Sequence, residues 1–90
     1  MNNPEYLEFI REQRCIICHS SPCEPHHVDT GGVGMKCSDY LTVPLCWTHH
    51  KEIHRIGKQT FVEKHRINLY HCISQLMVRW LRIQESLKGE

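Results

Sequence analysis

Apolar residues in the last third of the chain recur at helical spacing: Leu69, Cys72, Ile73, Leu76, Met77, Trp80, Ile83 and Leu87. This periodicity predicts one long amphipathic helix over 69–88. The opening segment repeats the pattern on a shorter scale. Asn3-Pro4 offers an N-cap followed by proline at the first helical position, where a missing N–H does no harm. Tyr6, Leu7, Phe9 and Ile10 then form the apolar side of a helix through Arg14. In the middle of the chain the pattern shortens. Pro25 to Val28 and Leu41 to Leu45 read as brief strands, the second with a proline suited to an edge. A helix from Trp47 to Ile56 should stop at Gly57, and a short one should follow from Gln59 to about Arg66. Thr30-Gly31-Gly32-Val33-Gly34 reads as a flexible loop; it lacks the G-K-[ST] ending of a phosphate-binding P-loop. The expected fold class is small α+β, a single domain over 1–90.

Size changes that picture in one respect. A chain of 90 residues buries a modest fraction of its surface, so a metal or disulfide staple is expected. Its 6 cysteines serve either role. The start of the chain is polar and acidic, without a long apolar signal core, and no apolar run approaches the ~20 residues of a membrane span. The expectation is therefore a cytoplasmic protein with no membrane partner, whose clustered cysteines and histidines are metal ligands before they are disulfides.

Cys15-x-x-Cys18 and Cys46-x-x-His49 each present two ligands one tight turn apart. Two such pairs close a tetrahedron of thiolates and imidazole around a structural Zn²⁺, clamping the ends of the segment between them. Cys23 competes with His49 for the fourth position, whereas Cys37 and Cys72 have no partner at ligand spacing and read as packing residues. Of 8 histidines, the clustered His26, His27, His50 and His54 are left unexplained by that zinc. His50 and His54 share a face of the expected helix, with His49 rotated about 100° from His50. Neighbours on a strand point to opposite sides, so His26 and His27 need a bulge or strand end to serve one site.

The order Cys15-x-x-Cys18, Pro25-His26-His27-Val28, Leu45-Cys46-x-x-His49-His50-Lys51 resembles the HNH nucleases. It is most similar to small phage and bacterial enzymes that include recombination-enhancement nucleases. They share a pattern like Lys36-x-Ser38-Asp39, Val43-Pro44-Leu45-Cys46 and His54-x-x-Gly57, and the resemblance covers roughly 15–67. It implies a zinc-stapled ββα-metal finger over about 15–57, flanked by the N-terminal helix and the long C-terminal amphipathic helix. The implied activity is a divalent-metal-dependent DNA endonuclease of the nicking type, leaving 5′-phosphate and 3′-hydroxyl ends. By the same resemblance His27 is the general base and His50 a ligand of the catalytic metal. His26 stands where a metal-binding residue, often Asp, precedes the base, and His54 is an additional ligand. The family's base-orienting Asn has no counterpart between the strands; Asp39 is nearest, and a carboxylate there would hold the useful tautomer of His27.

Two further expectations follow from the residues. With His26 as a ligand the catalytic site is nitrogen-rich, which favours Mn²⁺, Co²⁺ or Ni²⁺ over Mg²⁺. The net charge of +1 excludes little, but basic residues gather late in the chain, and Lys36, Lys51, Arg55 and Lys58 are the expected contacts to a DNA backbone, with low sequence specificity. The broad apolar surface of the last helix offers either internal packing or a homodimer contact. Two rival readings remain. A non-catalytic zinc module binding nucleic acid or protein would leave His27, His50 and His54 without work. A nuclease for RNA or branched DNA would share the same active site.

Overall fold

A computed structural model describes residues 3–28 and 38–88 of the chain. The glycine-rich loop, Lys36 and Cys37 fall outside the described residues. The element order is α1 (Pro4–Arg11), β1 (Glu24–His27), β2 (Thr42–Leu45), α2 (Trp47–Ile56), α3 (Lys58–His65) and α4 (Leu69–Lys88). The fold is small α+β, built on one antiparallel two-stranded sheet.

Helix α1 begins as its sequence dictates, with the Asn3 side chain accepting the Tyr6 N–H at 3.1 Å and Pro4 in the first turn. It ends three residues before the expected Arg14. The Gln13 side-chain amide donates to the Phe9 carbonyl at 3.0 Å, satisfying a helix-end acceptor as the chain leaves for the cysteine turn. Helix α2 has the expected bounds and stops at Gly57, whose φ of 88° suits a residue without Cβ. The same glycine leads into α3, which starts one residue earlier than expected and closes on Arg66 in the left-handed conformation. Asn68 caps α4, its side-chain oxygen accepting the N–H groups of Tyr70 at 3.0 Å and His71 at 3.1 Å.

The strands pair Glu24 with Leu45, Pro25 with Pro44, His26 with Val43 and His27 with Thr42. Strand β1 lies one residue nearer the N-terminus than expected, because Val28 continues the pairing only through a single bond to Leu41. Every residue of β2 is buried, with α1 and α4 as well as α2 packed on it, while β1 is half-exposed. The core joins Tyr6, Phe9 and Ile10 of α1 to Val43 and Leu45, Ile53, Phe61 and the α4 residues Leu69, Ile73 and Leu76. Trp80 closes it by packing on Tyr6 and Phe9 with ring centroids 5.3 and 5.2 Å away. Beyond Trp80 the stripe of α4 loses its cover: Ile83 and Leu87 are exposed. Among the described residues no helix is long and apolar enough to cross a membrane.

Candidate metal centres

The turn after α1 is shaped by its own backbone. Cys15 N–H donates to the Ser20 carbonyl at 2.9 Å, His19 N–H to the Cys15 carbonyl at 2.9 Å, and Ile17 N–H approaches the Cys15 sulfur at 3.4 Å. Ile16 N–H ties this turn to the Pro44 carbonyl of β2 at 3.2 Å, next to Cys46 at the start of α2. The two ligand pairs are thereby brought together. Cys18 Sγ stands 3.7 Å from Cys46 Sγ, and His49 Nδ1 stands 3.2 Å from Cys46 Sγ and 3.7 Å from Cys15 Sγ.

A tetrahedral zinc with Zn–S near ~2.3 Å and Zn–N near ~2.05 Å requires sulfur–sulfur edges of roughly 3.8 Å and sulfur–nitrogen edges of roughly 3.6 Å. The donors fit a zinc-like ion. Their electrostatics are uneven: burial pushes the Cys15 thiol up, whereas the Ser20 hydroxyl and then its N–H lower Cys18 to about 6. The N-terminus of α2, where the helix dipole favours negative charge, carries Cys46. Cys23 is not one of the four donors. Its buried thiol donates to the Ser20 carbonyl at 3.3 Å, and burial raises its pKa to about 11.

A second cluster gathers His26 from β1 with His50 and His54 from α2. Alternation along β1 puts Glu24 and His26 on the side facing α2, and the four-residue interval puts both helix histidines opposite them. Ring centroids are 5.2 Å apart for His26–His50, 5.1 Å for His26–His54 and 4.8 Å for His50–His54. One ring nitrogen from each lies within 4.8 Å of the others, within reach of a single ion. Burial, then the neighbouring imidazoles, lowers His26 to about 4; burial, then His54, lowers His50 against the opposing pull of Glu24. Such rings are neutral near pH 7, the form that ligates metal. Glu24, which sequence reasoning passed over, places Oε2 3.7 Å from His50 Nδ1.

His27 lies outside that cluster, as strand alternation requires. Its Nε2 meets Asp39 Oδ1 at 2.9 Å, and Asp39 Oδ2 accepts the Asn3 N–H at 2.7 Å. These bonds, His27 first, hold the Asp39 carboxyl below its usual range. No bulge joins His26 and His27 to one set of ligands; the pair instead splits between two sides of the strand.

A third group escaped the sequence altogether. His49, Glu52 and His65 bring ligand atoms within 4.8 Å of one another, with the His49 and His65 rings edge-to-face at 5.5 Å. Glu52 is held by Lys64 and by His65, whose Nε2 lies 2.5 Å away, and these contacts lower the carboxyl to about 2. The signal was the interval between His49 and Glu52, one helical turn. His65 could not be found that way, because only the fold of α3 brings it near. Of the expected DNA contacts, Lys51, Arg55 and Lys58 are exposed on α2 and at the start of α3.

A family model described as "Protein of unknown function (DUF968)" matches residues 1–83. The chain is also 36% identical over 53 residues to the "Uncharacterized protein YdfU" of Escherichia coli (strain K12). That match covers 56% of this chain and 15% of the relative, so the chain spans a small part of that protein's length. No solved structure matches the chain.

Proposed function

The chain belongs to the DUF968 family, and we propose that it is a zinc-stapled HNH-type nuclease that nicks DNA with the help of a second divalent ion. One observation carries this reading. A cluster of three imidazoles and a histidine–carboxylate pair branch from adjacent residues of one strand, beside a separate Cys3His cluster. In this reading β1, β2 and α2 are a ββα-metal finger.

Cys15, Cys18, Cys46 and His49 would hold the structural zinc, and His26, His50 and His54 the catalytic ion. An ion held there would supply Lewis acidity to the phosphodiester being cut. His27 performs the proton transfer. Its Nε2–H donates to Asp39, which leaves Nδ1 as the lone-pair nitrogen that takes a proton from the attacking water. Asp39, itself fixed by the Asn3 N–H, takes the orienting role and maintains that tautomer. Glu24 is placed to orient His50. Lys51, Arg55 and Lys58 supply positive charge for the DNA backbone.

The test is supercoiled plasmid incubated with Mn²⁺. Wild type should produce nicked circles and His27→Ala should not. Wild type without nicks would leave a zinc-bearing binding module. The nitrogen donors also predict more nicking with Mn²⁺, Co²⁺ or Ni²⁺ than with Mg²⁺, and a clear advantage for Mg²⁺ would remove His26 from the ligand set.

A further inference from the structure

Helix α2 carries two adjoining strips. His50 and His54 form one; Trp47, Lys51 and Arg55, at the same four-residue interval, form the other, rotated by roughly 80° at ~100° per residue. Trp47 is 65% exposed, far more than an indole contributing to its own core. Lys51 Nζ lies 4.0 Å from its ring centroid. A hollow of about 220 Å³ opens beside them, lined by Trp47, Thr48, Lys51, Glu52 and Arg55. The one anion in that lining is already neutralised, since Glu52 is engaged by Lys64 and His65.

An indole largely exposed to solvent, with Lys51 over one face of the ring and Arg55 lining the same hollow, matches one ligand chemistry closely. Unpaired nucleobases stack on aromatic rings while Lys and Arg track the phosphates between them. Duplex DNA keeps its base faces stacked on one another and offers none to a ring on a protein surface unless a base is extruded. The charge complementarity of Lys51 and Arg55 favours this occupant over an apolar protein partner. We propose that Trp47 is a stacking platform for an unpaired base, with Lys51 and Arg55 on the flanking phosphates. The nucleic acid drawn to the imidazole cluster is then single-stranded DNA, or a single-stranded stretch within a larger structure. This deepens the nuclease reading and rests on it for what happens after binding, but not for binding itself.

Binding and cleavage are separated by working with zinc-loaded full chain and no added second divalent ion. The sequence has 2 tryptophans, so Trp80→Phe leaves Trp47 as the sole indole reporter. Titration with short oligo(dT) should quench its emission, and an equal-length duplex should not. In the same buffer Trp47→Ala should weaken oligo(dT) binding about tenfold and duplex binding less than about twofold, with Trp47→Phe retaining affinity to within about threefold. Equal weakening on both nucleic acids, or an indole blind to oligo(dT), overturns the proposal. Plasmid nicking is scored separately. Its absence from wild type alongside the oligo(dT) response removes the nuclease and keeps the platform; nicking without that response does the reverse.

Discussion

The two Cys/His-bearing regions on either side of α2 are built to different standards. The Cys3His cluster has four donors, a backbone N–H directed at Cys15 Sγ, and edges that already approximate a tetrahedron. The imidazole cluster has three donors, one of them exposed on His54, and lies beside a second titratable pair. Structural zinc sites close their coordination with protein ligands, whereas catalytic sites leave a position open. The difference teaches that one short helix can serve a closed cluster with the cysteine turn after α1 and an open one with β1, provided its consecutive histidines, His49 and His50, look in different directions.

Breaking the closed side should have the largest effect. Cys46→Ala removes a donor and should abolish the cooperative melting transition in circular dichroism along with bound zinc; a structural zinc in a small domain contributes on the order of 10 kcal/mol to folding. An unchanged melt would make the two clusters equivalent. His27→Ala probes the open side, and nicking should fall by about 10²–10⁴-fold with melting temperature and zinc content preserved. A parallel loss of folding would erase the distinction.

A subtler variant sharpens it. Glu52→Gln removes a charge whose oxygen lies within 4.8 Å of a His49 ring nitrogen without touching a sulfur, and competitive chelation should show zinc affinity reduced by about tenfold. The smallest effect is in acid. Because the folded pKa of Glu52 is depressed to about 2, its contribution to stability is fully present above its ordinary range and is lost as pH falls toward that value. The gap in melting temperature between wild type and Glu52→Gln should therefore narrow as the pH falls below about 4.5. A gap that stays constant would mean the carboxylate's contacts do not survive in solution.

The sequence carried most of this because the relevant intervals are local. Two C-x-x-[CH] pairs and the His50/His54 spacing are each set within one turn of chain, and Asn3-Pro4 and Gly57 mark helix ends through backbone rules that need no tertiary context. What stayed hidden depends on long-range approach. Whether Cys23 or His49 completes the thiolate set turns on which direction a buried thiol faces, and the Ser20 carbonyl decides it. Lys64 and His65 reach Glu52 only because α3 folds back along α2, and α1 ends early because the cysteine turn claims the chain. The split of His26 from His27 was legible as a rule of strands, and the structure supplies what each neighbour meets.

That alternation has a consequence for how the segment tolerates change. A single-residue insertion or deletion ahead of Glu24 would not degrade both groups gradually; it would flip the facing of every side chain on the strand, turning His27 toward α2 and His26 away from it. A shift by two would restore the facing but misalign every partner across the hairpin. Strand β1 thus works like a reading frame, in which parity matters more than composition.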